Sequence, residues 1–154
     1  MYFSDLSPYS YSIGHMLPDV LTIGWLDRSE PFPSGSQPKQ FTHLLRSWFG
    51  VARVNQMRGI HRCNLCREKQ WPPLPLHENP SITIGGKTLF LGNWEIWIPT
   101  SDGRVFASPA LIIHYVEVHG YLPLPEFIAA VLNESAMGKW NAKGEFARRA
   151  GIAG

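Results

Sequence analysis

Two cysteines and two histidines constrain this 154-residue chain more than any other feature. Cys63 and Cys66 form a Cys-x-x-Cys pair, and His114 and His119 follow as His-x4-His. A Cys-x-x-Cys turn brings two thiolates to one point, and zinc needs two further soft or borderline ligands to complete a tetrahedron. The histidine spacing lies within the range found in zinc sites. The sequence therefore predicts one structural zinc ion bound by Cys63, Cys66, His114 and His119.

The spacing of the two histidines also restricts the helix that carries them. On a regular helix, residues five positions apart lie about 140° apart around the axis. Both rings can reach one ion only if the last turn loosens or ends, and Gly120, directly after His119, favours such an ending. The long interval between Cys66 and His114 exceeds that of a small zinc finger. It predicts an insertion or an enlarged hairpin between the two halves of the site.

Two neighbouring side chains are candidates to support the ligands. His61 lies two residues before Cys63, on the same side of an extended chain. It is predicted either to replace a helix histidine as ligand or, as we favour, to hydrogen-bond to a thiolate. Glu117, between the two helix histidines, is the second candidate.

Two alternatives to a bound metal stay open at this point. The four residues could be reduced, buried cysteines and satisfied core histidines. A Cys-x-x-Cys pair also serves thiol exchange, but that chemistry favours a first cysteine at a helix N-terminus beside a βαβ unit. The pattern around Cys63 offers no such unit.

The helix with the histidines resembles a metalloprotease helix only superficially. Catalytic forms place the histidines at i and i+4, with the glutamate adjacent to one of them. Here Glu117 is adjacent to neither histidine. Two cysteines and two histidines also close the tetrahedron and leave no position for an activated water. We therefore favour a protein that is not an enzyme, and we assign no catalytic residue.

The apolar pattern predicts an α+β fold: a small antiparallel sheet with three helices around a zinc-finger-like Cys2His2 core. Strands are predicted over 20–26, 94–99 and 104–107, with a hairpin over 82–91 that turns at Gly85-Gly86. Helices are predicted from 38, capped by Ser36, over 110–118, with Ser108 as cap and Pro109 as first residue, and from 123 or 125. Nine side chains should be largely buried: Trp25, Phe41, Leu45, Trp48, Trp94, Ile96, Ile98, Ile112 and Phe127.

The domain prediction is a single zinc-stabilised globular domain over residues 1–137, followed by a tail over 138–154 that we expect to be frayed. Apolar residues make up 44% of the chain, which is enough for a core. Residues 1–20 lack a basic start followed by an unbroken apolar run, and no later segment has the length of a membrane span. We therefore expect a cytoplasmic protein without a membrane partner.

The expected partner is another protein. The net charge of +2 gives only a weak attraction to nucleic acid. The residues before the first histidine, 110–113, are apolar, whereas DNA-reading fingers expose polar and basic side chains there. A protein-interaction or regulatory module is therefore favoured over a zinc-dependent hydrolase or a nucleic-acid-binding protein. The candidate interaction surface comprises Arg58, Arg62, Arg67 and Trp71, with Tyr2, Phe3 and 31–33 as further candidates.

Several segments together resemble a known family. They are Asp5–Tyr9, Ile23–Asp27, Pro31–Pro33, Arg58–Cys66, Ser108–Tyr121 and Pro125–Phe127. The chain resembles, over nearly its whole length, a family of small bacterial proteins with a His-x-Cys-x-x-Cys segment and a later His-Tyr-Val-Glu-Val-His-Gly-Tyr segment. The resemblance implies bacterial origin, a stand-alone domain and the four metal-binding candidates as one unit. It implies no catalytic residue, and an accessory, immunity or regulatory role follows only by analogy.

Overall fold

The computed structural model of the chain describes residues 1–11, 13–66 and 80–151. Its strands are β1 (Pro8–Tyr9), β2 (Leu17–Thr22), β3 (Arg53–Val54), β4 (Ser81–Ile84), β5 (Lys87–Phe90), β6 (Glu95–Pro99) and β7 (Val105–Pro109). Its helices are α1 (Lys39–Val51), α2 (Ile112–His119), α3 (Pro125–Leu132), α4 (Glu134–Met137) and α5 (Ala142–Ala150). The fold is α+β, as the sequence predicted. The proline-rich stretch predicted to be a loop, 71–80, lies outside the described residues except for Pro80.

The main sheet is mixed, which corrects the prediction of an antiparallel sheet. In the described residues it has five strands in the order β1-β2-β7-β6-β3, and β4 pairs separately with β5. Strand β2 runs parallel to β7, whereas the other strand pairs are antiparallel. Parallel neighbours require a long crossover, and the chain between β2 and β7 supplies one that includes α1.

The predicted strand over 20–26 begins and ends earlier than expected, at Leu17 and Thr22. Ile23, Trp25 and Leu26 are nevertheless buried. Gly24 has a φ of +76°, a backbone conformation that ends the regular strand geometry, and its amide donates to Asp5 Oδ1 over 2.9 Å. These residues are apolar and buried. Their apolar character led to the incorrect prediction that the strand continues to Leu26.

The helices differ from the prediction in number and at their starts. Five helices lie in the described part of the chain instead of three, since α4 and α5 were not predicted. Helix α1 begins after Pro38 and has no side-chain cap, so Ser36 does not cap it. Ser108 and Pro109 lie in β7 rather than at a helix start, because they pair with Ile96 and Glu95 of β6. Helix α2 consequently begins only at Ile112.

The core contains all nine side chains that the sequence predicted to be buried. Ile96 and Ile98 lie on one face of β6, as the alternation predicted. The opposite face is also buried, since Trp97 contacts the rings of Tyr9 and Phe146 edge-on, at centroid distances of 5.3 and 4.9 Å. Strand β6 is therefore covered on both sides.

The covering of that second face comes from the segment predicted to be a frayed tail. Helix α5 contacts β3 and β6. Asn141 caps α5 by accepting a hydrogen bond from the Gly144 amide. The Trp140 indole also donates to the Trp97 carbonyl over 2.7 Å. Within this segment, residues 142–150 thus form a helix that covers the second face of β6.

The hairpin β4–β5 follows the prediction closely. Ile84 pairs with Lys87, and Gly85 and Gly86 between them both have positive φ. A two-residue turn of this kind needs φ above zero at both central residues, which glycine adopts without strain. Within the described ranges, no helix has the length and apolarity needed to cross a bilayer.

Candidate metal centre

The two cysteines lie on a turn, and backbone contacts fix the segment that precedes it. The His61 amide donates to the Gly92 carbonyl, and the Met57 amide donates to the Asn93 carbonyl, each over 2.7 Å. Gly92 permits this approach, because a Cβ there would lie 2.0 Å from the His61 carbonyl oxygen. The segment before the thiols is therefore held against the residues that lead into β6.

Asn64, between the two thiols, anchors the turn to the loop after Leu26. Its amide nitrogen donates to Asp27 Oδ1, and its amide oxygen accepts from the Arg28 backbone over 3.3 Å. Cys63 is buried, whereas Cys66 is exposed.

The two histidines lie on α2, whose last turn is wider than that of a regular helix. The amides of Gly120 and Tyr121 both donate to the Tyr115 carbonyl, five and six residues earlier. Gly120 is left-handed, with a φ of +69°. The prediction that the helix would end at this glycine is confirmed. With the helix ended in this way, the ring centroids of His114 and His119 lie 5.0 Å apart.

The structure brings all four predicted ligands together. Cys63 Sγ lies 3.3 Å from His119 Nε2. Cys66 Sγ lies 3.1 Å from His114 Nε2 and 3.4 Å from His119 Nε2. The four donor atoms all lie within 4.8 Å of one another. This cluster could hold a metal ion.

The spacing and chemistry of the donors suit a small tetrahedral ion. Zinc–sulfur and zinc–nitrogen bonds in a tetrahedron place the sulfur and nitrogen atoms about 3.6 Å apart. The three observed sulfur–nitrogen distances are slightly shorter than this value. Two thiols with two imidazoles are also a donor set that favours zinc over the harder cations. The two thiols and two imidazoles therefore fit the zinc ion that the sequence predicts.

The protonation states of the ligands follow from their burial. Burial, with the neighbouring His119 as a second cause, lowers the pKa of His114 to about 4. Burial also lowers the pKa of His119, so both rings are neutral at pH 7 and have a lone pair for a metal. In contrast, burial raises the pKa of the Cys63 thiol to about 12. Metal binding at Cys63 therefore requires the loss of a proton.

The two residues predicted to support the ligands contact other partners. His61 Nε2 lies 3.0 Å from Tyr11 Oη, and His61 is not a member of the four-residue cluster. Glu117 forms an ion pair with Arg46, with 2.5 Å between Oε1 and Nη2. The spacing of His61 from Cys63 suggested proximity to a thiolate, but the chain turns the ring toward the N-terminal segment instead.

The predicted interaction surface is only partly described. Arg58 and Arg62 are exposed beside the thiolate turn. Arg67 and Trp71 lie outside the described residues.

Sequence reasoning missed a buried carboxyl and the cleft that it lines. Glu95 is 2% exposed, yet no prediction was made for it from the sequence. The cleft adjoins the thiolate turn and the start of α2. An acidic residue between two tryptophans was the available signal. This pattern indicates a buried carboxyl only when the second face of β6 is known to be covered.

Comparison with protein families identifies a match for most of the chain. The family model described as "Domain of unknown function (DUF7919)" matches residues 1–132. The chain belongs to this family. All four residues of the DUF7919 cluster lie within the matched region, whereas α5 lies beyond it. Comparisons with curated proteins and with solved structures gave no match.

Proposed function

We propose that this DUF7919 protein is a small interaction or regulatory module of the bacterial cytoplasm, stabilised by one structural zinc ion. Cys63, Cys66, His114 and His119 are the proposed ligands. The observation that supports this most is the convergence of two thiols and two imidazoles from distant parts of the chain within 4.8 Å. A reducing compartment would keep both thiols available to the metal.

A structural role follows from the number of ligands. Structural zinc sites use four protein ligands, whereas catalytic sites use three and keep the fourth position for water or substrate. The acidic residue closest in sequence to the histidines, Glu117, is ion-paired with Arg46. A carboxylate in such a pair is poorly placed to activate water at the metal. These features support a structural metal over a zinc-dependent hydrolase.

The role of the zinc would be to fasten the thiolate turn to α2. Residues 55–62 form no helix or strand, and two backbone hydrogen bonds to Gly92 and Asn93 hold this stretch. A structural metal adds binding free energy directly to folding free energy. The ion would therefore fix a segment that has little regular structure of its own.

The proposed partner is another protein that contacts the N-terminal segment. Six large apolar side chains are exposed in the described part of the chain, and four of them lie within the first 16 residues: Met1, Tyr2, Leu6 and Met16. Exposed apolar side chains concentrated in one segment are typical of protein-interaction sites. Arg58 and Arg62 add exposed positive charge beside the thiolate turn. Phe3 contributes less, because its ring packs edge-on against Trp25 at 5.5 Å.

Zinc content and coordination test the metal part of the proposal. Elemental analysis of the purified chain should find one zinc per molecule, and X-ray absorption should show two sulfur and two nitrogen ligands. A zinc coordination sphere of three protein ligands and one water molecule would contradict a structural role. So would zinc-dependent hydrolysis of a generic ester or phosphodiester by the purified chain.

Partner capture tests the interaction part. Met16→Asp should abolish co-purification of the partner protein, because it places a charge in the exposed apolar segment. Val51→Asp is the matched control, since Val51 is an exposed apolar residue at the end of α1. Equal capture by the two variants would count against the N-terminal segment as the contact surface. Recovery of nucleic acid as the sole partner would favour the alternative function.

A further inference from the structure

A narrow cleft lies beside the metal centre. Its walls come from the N-terminal segment, the stretch over 55–64, residues 91–95 and the start of α2. Its volume is about 80 Å³, so only a small ligand would fit.

Glu95 is the buried ionisable group that lines this cleft. Its carboxyl accepts hydrogen bonds from Tyr9 Oη at 2.9 Å, Asn55 Nδ2 at 2.5 Å and Trp97 Nε1 at 3.2 Å. All three donors are neutral, so they satisfy hydrogen bonds but do not balance a negative charge. An ionised carboxylate also has about four acceptor positions, one more than these donors occupy. When ionised, Glu95 therefore offers a cation both a charge and an acceptor position that these three donors, the ones found in the described part of the chain, leave open.

Aromatic rings form much of the remaining lining. Trp25 donates its indole N–H to the Ala107 carbonyl, and Trp94 donates its own to the Phe90 carbonyl. Neither indole N–H is thus needed by a ligand, and both rings offer apolar surface. The Arg53 guanidinium already lies 5.8 Å from the Trp94 ring centroid. Tryptophan rings attract cations in this way through their negative faces.

We propose that this cleft binds a small organic cation, specifically a primary amine, whose ammonium group pairs with Glu95 and whose alkyl part contacts Trp25 and Tyr11. Arg62 also lines the cleft, but it is exposed. Water and salt screen its charge far more than they screen a buried carboxylate. The raised pKa of Glu95, about 7 as a result of burial, means that a bound ammonium would also favour the ionised carboxylate. This site adjoins the surface proposed to contact a protein partner, since Met1 and Arg62 belong to both.

The test compares three probes of similar size on the full, zinc-loaded chain. Butylammonium, 1-butanol and butyrate are titrated while the indole signals of Trp25 and Trp94 are followed by NMR. Butylammonium should bind at least about tenfold more tightly than the other two, because it alone can pair with Glu95. Equal or tighter binding of 1-butanol would overturn the proposal, since the cleft would then be merely apolar. An absence of binding by all three would overturn it as well.

Two variants locate the charge that is responsible. Glu95→Gln should remove the preference for butylammonium, whereas Glu134→Gln, at an exposed position in α4, should retain it. Retention of the preference in Glu95→Gln would overturn the role of Glu95. The comparison of the three probes on the unaltered chain decides the matter even if Glu95→Gln does not fold.

Discussion

At the scale of single residues, the histidines of this chain differ in their surroundings. His114 lies 3.1 Å from Cys66 Sγ, and burial lowers its pKa to about 4. His43 is exposed on α1. The first is therefore a neutral ring beside a thiol, and the second is a solvated surface group.

The same substitution should therefore have a large effect at His114 and a small one at His43. His114→Ala should lower the zinc content and reduce the free energy of unfolding by roughly 3 kcal/mol or more, because metal binding contributes to folding. His43→Ala should change the free energy of unfolding by less than about 0.5 kcal/mol. Elemental analysis and urea denaturation measure both effects. Equal stability of the two variants would show that His114 is not a ligand.

Glu95 shows how burial alters an ordinary carboxyl. Burial is the largest cause of its raised pKa, about 7, and the hydrogen bonds from Asn55, Tyr9 and Trp97 oppose that shift. The pKa of Tyr11 is also raised, mainly by burial and to a lesser extent by the charge of Glu95. The acid form of Glu95 is therefore the one that the folded chain prefers.

The sign of the resulting pH dependence follows directly. Between pH values of about 4.5 and 7, the folded state binds more protons at Glu95 than the unfolded state does. The free energy of unfolding should therefore fall as the pH rises through this window, by on the order of 3 kcal/mol from this group, and level off above it. Urea denaturation at several pH values, compared between the parent chain and Glu95→Gln, isolates this contribution because the other groups cancel. Identical slopes for the two chains would refute it.

At the scale of elements, the C-terminal end of α2 determines where His119 lies. Gly120 is left-handed, and a Cβ there would meet no atom within 4 Å, so any cost of a side chain is conformational rather than steric. Gly138, by contrast, has a right-handed helical conformation with a φ of −72°. The two glycines thus form a matched pair.

Alanine at these two positions should have different effects. Gly120→Ala should cost about 1–2 kcal/mol of stability and weaken zinc binding, because an L-residue disfavours the left-handed conformation beside His119. Gly138→Ala should be neutral or stabilising by up to about 1 kcal/mol, because it restricts the unfolded chain. Denaturation curves and competition with a zinc-binding dye measure both quantities. Similar affinities in the two variants would argue against a role for this helix end.

At the scale of the whole molecule, the metal cluster joins parts of the chain that are distant in sequence. The thiolate turn contacts the residues before β6 and the loop at Asp27 and Arg28, whereas α2 packs against α1. A bound ion would fix these parts relative to each other. Its removal should therefore affect more than the local turn.

Chelation of zinc should lower the melting temperature and increase hydrogen exchange in the thiolate turn and throughout α2 and α3. These elements lose the connection that the ion supplies, and local opening raises exchange. Addition of zinc, but not of magnesium, should restore protection, since magnesium prefers oxygen ligands. An unchanged melt after complete removal of zinc would contradict a structural metal.

Local patterns were sufficient to predict a substantial part of this protein. The spacing of the cysteines and histidines pointed to four residues that the structure does bring together. The period of apolar residues predicted the buried side of α1, and Gly85-Gly86 predicted the hairpin turn. Each of these features depends on residue types and on residues close in sequence. The exception is that Cys63 and Cys66 meet His114 and His119. That meeting was inferred from the four ligands that zinc requires.

Tertiary structure alone decided the pairing of distant elements and the identity of each partner. The parallel pairing of β2 with β7, the packing of α5 against β6 and the contact of His61 with Tyr11 have no local signature. Glu95 is likewise buried among residues from other parts of the chain, Tyr9 and Asn55. An alternating strand shows which side chains share a face but not whether the second face is covered. The physical reason is that periodicity is a property of one element. Burial and partner choice depend on which elements the whole chain brings against it.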